Sequence, residues 1–176
     1  IGQILEKRIP NFIAFTISFL VTALFWRAHV VICRGVKEVS DRFLWIDIFL
    51  LGFVVLMPFS TALFANFGYG SNTAFVFYSL NLAAIGSFHL WLTKHIHSLI
   101  PAENEEQKLM QKNQIIRASI VVFVFVCAAC FSSVLPVISR YLFFLIFVLQ
   151  KIADWRYKKR LRSLQPQPEI SSTENL

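Results

Sequence analysis

The chain has 176 residues, of which 56% are hydrophobic and only 15% charged, with 19 Phe and a mean hydropathy of +0.61. Soluble domains run at about 45–50% apolar and about 25% charged, so this composition excludes a disordered chain, a disulfide-rich secreted scaffold and most cytosolic enzymes. The formal net charge of +7 would suggest nucleic acid in a soluble protein; here the basic residues lie between apolar segments, so membrane topology is the simpler reading and no nucleic-acid partner is expected.

A membrane-crossing helix needs about 20 mostly apolar residues. Taken in chain order, residues 1–8 have the look of a loop, and the first span covers about 9–26, with Pro10 at its start. The second covers 43–64, the third 73–92, the fourth 118–135 and the fifth 137–153. Ser139, Arg140, Gln150 and Lys151 sit near the ends of the fifth, where long side chains snorkel to the headgroups. Between the third and fourth spans, 102–114 reads as a short separate helix, with Glu103, Glu105 and Glu106 early and Lys108 and Lys112 late. The fold class expected is therefore all-α, a polytopic membrane helix bundle over 1–155. Residues 156–176 form a basic and then disordered tail. The lipid bilayer is the first partner.

The Lys and Arg positions give an orientation. Arg27, Arg34, Lys37 and Arg42 occupy one gap, and Lys94, Lys108, Lys112 and Arg117 another. Lys151 and the tail beyond it hold six more, Lys151, Arg156, Lys158, Lys159, Arg160 and Arg162, whereas the gap 65–72 has none. Positive residues stay in the cytoplasm, which predicts a multi-pass cell-membrane protein with a cytoplasmic C-terminus and residue 1 outside. One more crossing upstream would bring both ends to the same side, so five helices of an expected six are read here.

Ionisable groups in spans are costly and are candidates for function by default. Asp47 lies early in the second span. Trp26 and His29 lie three apart near the end of the first, hence on one helix face. The short turn between these spans makes them antiparallel neighbours and brings His29 and Asp47 to comparable depth. A polar lock across the pair and separate interfacial residues wetted by headgroups both remain open. His89 reads as an interface residue. Pro58 reads as a helix kink that Ser60 or Thr61 would compensate, and Gly52 and Gly86 read as sites of close helix approach. Cys33, Cys127 and Cys130 make no even framework, and the C-x-x-C of the last two lies in an apolar run and reads as packing. Trp26, Trp45, Trp91 and Trp155 all fall near cytoplasmic span ends, as an aromatic belt requires. No nucleotide loop, metalloprotease motif, nucleophile elbow or potassium-filter sequence occurs. No enzyme activity, cofactor or metal site is expected; Phe67-Gly68-Tyr69-Gly70 reads as a loop.

Three stretches carry a resemblance: Phe25-Trp26-Arg27-Ala28-His29, then Arg42-Phe43-Leu44-Trp45-Ile46-Asp47, then Leu56-Met57-Pro58-Phe59-Ser60-Thr61-Ala62-Leu63. The ordered combination of F-W-x-x-H, L-W-x-[ND] and P-F-[ST]-x resembles the transmembrane protein 175 family of cation channels in its bacterial single-repeat form. The resemblance implies six helices per repeat, cytoplasmic termini and a homotetramer. It also implies conduction of potassium and other monovalent cations through a hydrophobic constriction. His29 and Asp47, with Trp26, match a hydrogen-bonded network behind the pore helix. The R-x-x-x-F-S-D motif of that helix does not occur here, so the pore-lining residues are unknown. The competing readings are a secondary or proton-coupled transporter and a non-conducting membrane scaffold.

Overall fold

Where apolar runs of membrane length leave the backbone nothing to bond but itself, helix is the conformation that satisfies every N–H and C=O. The computed structural model describes residues 2–34, 36–67, 71–132 and 134–164. Its elements are α1 (Gly2–Cys33), α2 (Asp41–Val55), α3 (Met57–Phe67), α4 (Asn72–Leu99), α5 (Glu105–Phe131) and α6 (Pro136–Leu164). The described residues are thus all-α, in keeping with the expected membrane bundle. The Gly68–Gly70 part of the expected loop and the chain beyond Leu164 lie outside the described residues.

Local chemistry explains the helix ends. Ser40 caps α2, its hydroxyl accepting from the Phe43 N–H at 3.3 Å. Asn104 caps α5, accepting from the Gln107 N–H at 2.8 Å, and Glu105 and Glu106 follow in the first turn, where the helix dipole favours acids. Two sequence expectations are corrected. Residues 2–8 are not a loop but the first turns of α1, which runs through Pro10 instead of starting there. The polar stretch 102–114 is not a separate helix either. After Asn104 no Pro or Gly interrupts the chain until Pro136, so α5 continues unbroken into the apolar part.

Among the described residues, four stretches are long and apolar enough to cross a membrane: Phe15–Cys33, Asp41–Phe67, Asn72–Leu99 and Glu105–Phe131. The second is α2 and α3 together, interrupted at Leu56. Pro58 has no N–H to offer the Val54 carbonyl. The ladder resumes with the Ser60 N–H on the Leu56 carbonyl at 2.9 Å. The Ser60 and Thr61 hydroxyls both donate to the Met57 carbonyl, at 3.0 and 2.8 Å. The second half of α6 is crowded with basic residues, while its first half is apolar.

α4 is the hub. It packs against α2, α3 and α5, while α1 lies across α3 and α4, and α6 leans on α5. In its most apolar window 56% of the residues are buried, against 11% for α1; α4 therefore makes the core and α1 a rim. Ile46, Leu50, Met57, Leu82, Ile85 and Leu92 form the centre of the core. The phenylalanines join it in stacks. Phe88 lies between Phe49 and Phe53, at 5.6 and 5.5 Å between ring centroids. Phe143 of α6 meets both Phe75 of α4 and Phe125 of α5. Other apolar side chains point outward, among them Phe12, Phe19, Phe59, Phe144 and Phe147, each more than half exposed. Water would penalise that surface by about 25 cal/mol per Å²; hydrocarbon does not.

The two helix glycines separate in role. A Cβ on Gly86 would lie 3.2 Å from Val122 Cγ2 of α5, whereas one on Gly52 would meet nothing within 4 Å. Close approach is therefore a property of Gly86, and the expectation for Gly52 is corrected. Gly86→Leu is expected to destabilise the α4–α5 contact by about 1–3 kcal/mol, as overpacking does. Gly52→Ala should be neutral or slightly stabilising, since Ala is the better helix former. Thermal unfolding of both variants in detergent measures the contrast; equal melting temperatures would contradict it.

Candidate functional site

The last turns of α1 and the second turn of α2 carry the polar side chains singled out by the sequence. His29 Nε2 lies 3.6 Å from Asp47 Oδ1, with side-chain exposures of 12% and 23%. That separation is within reach of an ion pair but too long for a hydrogen bond, and Asp47 Oδ1 is buried with no hydrogen-bond partner among the described residues. The Trp26 ring stacks on His29, with centroids 5.2 Å apart and planes 26° from parallel. Cys33, one turn further on, brings its Sγ to 3.7 Å from His29 Nε2. The imidazole is held between an indole face, a thiol and a carboxylate. Its orientation is fixed by α1 spacing (Trp26, His29 and Cys33 are three and four residues apart) and by the helix crossing.

A third helix contributes. His89 of α4 meets the edge of the Phe25 ring at 6.5 Å between centroids, and its Nε2 is buried without a hydrogen-bond partner among the described residues. Phe25, Trp26, His29 and His89 line a narrow apolar cleft with Leu50 and Val54 of α2. The cleft thus brings together the ends of α1, α2 and α4. His89 Nε2 in the cleft and Asp47 Oδ1 beside His29 are, among the described residues, short of partners in surroundings where each lost bond is expensive. Sequence reasoning read His89 as an interface residue. The only sequence-level signal for its place was its being an ionisable side chain inside an apolar span.

Pro58 lies elsewhere, at the start of α3, beside a second polar group the sequence reading passed over. Asn81 of α4 donates through Nδ2 to Ser60 Oγ at 3.1 Å, and both side chains are buried. An Asn in the middle of an apolar helix was the available signal. The same end of the bundle that holds His29 is tied by further polar pairs. His95 Nε2 lies 3.2 Å from Ser40 Oγ and His97 Nε2 lies 2.8 Å from Gln114 Oε1. Arg117 reaches both Gln150 and Asp154 of α6, at 2.7 and 2.8 Å. Among the described residues no three His, Cys, Asp or Glu side chains converge as a metal would require.

Fold and site together define a polytopic helical membrane protein with a polar knot at one end. The sequence profile of the family described as endosomal/lysosomal potassium channel TMEM175 matches residues 1–58, the stretch that holds Trp26, His29, Asp47 and Pro58. A curated relative, potassium channel HX13_20290 of Chryseobacterium sp. (strain P1-3), is 25% identical over 159 residues, 90% of this chain and 81% of that protein. No solved structure matches the chain significantly. Residues 1–58 are thus similar to the TMEM175 family, and most of the chain is similar to a bacterial protein described as a potassium channel.

A double-mutant cycle on His29→Gln and Asp47→Asn is expected to give a coupling of about 0.5–3 kcal/mol in thermal stability, the range for residues in direct contact. Strictly additive losses would show that the pair does not interact.

Proposed function

We propose that this chain is a subunit of a potassium-conducting cation channel of the cell membrane, assembled as a homotetramer around a hydrophobic constriction. The observation that carries the reading is the family match over 1–58, together with a relative described as a potassium channel. Side-chain geometry supports a role behind the pore. Trp26, His29 and Asp47 join α1 to α2, and His89 brings in α4. A network of this kind fixes the angle of the helices that carry a pore wall without itself lining the path. At the wall, apolar rings narrow the path, exclude water when closed and rewet when widened.

Orientation follows from charge. The polar pairs joining Ser40 to His95, Gln114 to His97 and Arg117 to Asp154 bring the basic ends of α2, α4, α5 and α6 together. In this reading that end is cytoplasmic, α6 crosses the bilayer as a fifth span, and the C-terminus lies inside. Trp26, Trp45, Trp91 and Trp155, each at least half exposed, form the belt at that interface.

The test is potassium flux into liposomes holding the full-length protein, with sodium and protons for comparison. Potassium uptake above protein-free vesicles is expected. His29→Ala is expected to lower the flux, or the tetrameric fraction, by about five- to thirty-fold, the shift that one or two kcal/mol makes in a two-state equilibrium. Absence of flux from the wild type would favour the scaffold reading, and unchanged flux with unchanged assembly in His29→Ala would refute the network.

A further inference from the structure

The outward face of α6 changes character along its length. Tyr141, Phe144, Phe147, Val148 and Ile152 are all exposed and make an apolar stripe on the side turned from α5. The stripe continues without a break into Lys151, Trp155, Lys158, Lys159 and Arg162, all exposed. Their spacing of four, three, one and three residues keeps them on one helix face. The opposite face holds the groups that meet the bundle: Gln150 and Asp154 bond Arg117, and Ala153 is buried.

Three observations give this stripe a partner. First, among the described residues no ion pair neutralises its charge: the ion pairs join His29 to Asp47, Lys108 to Glu105 and Arg117 to Asp154, and none uses Lys151, Lys158, Lys159 or Arg162. Second, Trp155 stands at the junction, 63% exposed, with Lys159 Nζ 5.5 Å from its ring centroid. An indole holding an ammonium over its face is suited to the headgroup layer, where one side is apolar and the other charged. Third, Trp155 lies 19 residues beyond Pro136, or about 29 Å at 1.5 Å per residue, which is the thickness of a hydrocarbon core, about 30 Å.

We propose that the stripe Lys151–Trp155–Lys158–Lys159–Arg162 is a binding surface for anionic phospholipid headgroups. Headgroup phosphates sit along the three ammonium groups and the guanidinium, which span about 16 Å of helix, and the acyl chains lie along Tyr141 to Ile152. Zwitterionic lipid has the same phosphate but cancels it with its own cation, so the surface selects net negative charge. The proposal rests on the reading that α6 crosses the bilayer, and it goes beyond the channel reading by naming the lipid class that covers the outward face of α6.

The experiment is native mass spectrometry of the full-length protein released from micelles containing equal amounts of phosphatidylglycerol and phosphatidylcholine. Wild type is expected to retain phosphatidylglycerol about tenfold over phosphatidylcholine, with the preference falling as salt is raised, because exposed charges are screened. The combined variant K151Q/K158Q/K159Q/R162Q is expected to bring the ratio near one. The milder K158Q/K159Q, which leaves the apolar stripe and Arg117–Asp154 intact, should give an intermediate ratio if the fourfold variant does not fold. Equal retention of both lipids by wild type overturns the proposal, as does an unchanged ratio in K158Q/K159Q. Potassium flux of the same preparation reports separately on the channel: flux without lipid preference sinks only this inference, and lipid preference without flux sinks only the channel.

Discussion

Hydrocarbon supplies no hydrogen-bond partners, and that single property of the solvent orders this molecule. Backbone groups must bond within helices, so the chain is helical wherever it is apolar. Side-chain polar groups must find one another, so they occur in pairs that cross between helices: Asn81 with Ser60, His95 with Ser40, His97 with Gln114, Arg117 with Gln150 and Asp154. Because lipid already solvates apolar side chains, the apolar surface exerts no pressure to hide. Helices are instead held by close packing, as at Gly86 and Val122, by stacked rings and by these polar pairs.

The same constraint explains why the centre is α4 and why the rim is α1. α4 carries the small and polar residues Ser79, Asn81, Ala83 and Gly86, all buried, which let three neighbours approach. α1 presents Phe12, Phe15, Phe19 and Leu24 outward, buries Ser18 and carries Trp26, His29 and Cys33 near its final turns. His29 and Asp47 stand at a boundary between these regimes. They are partly buried and close, yet 3.6 Å apart, a spacing that small helix movements convert into a hydrogen bond or abolish.

Much of the architecture was legible in the residues. Apolar length marks the membrane-length helices, and the short connection from Cys33 to Asp41 brings His29 near Asp47, because antiparallel neighbours put their joined ends at one depth. Other features needed the tertiary arrangement. His89 is separated from His29 by 60 residues, and nothing in the sequence says that α4 passes behind α1. Residues 2–8 look like a loop because they are polar, but helix propagates into polar sequence from a nucleated apolar run at little cost. The polar start of α5 misled for the same reason. Pro58 was a visible break, whereas its neighbours' solution was not: Ser60 and Thr61 turn to the Met57 carbonyl, and Asn81 closes the group from another helix.

The claim that lipid solvates the outer face of the bundle is tested most directly by labelling single cysteines in a background without Cys33, Cys127 and Cys130. Phe144→Cys and Ser163→Cys lie on the same helix, the first at a site 67% exposed and flanked by apolar side chains, the second beyond the basic residues. In vesicles permeabilised so that the reagent reaches both faces, a charged maleimide should label residue 163 and leave residue 144 untouched. Equal labelling at the two positions would mean that water, not hydrocarbon, covers that face.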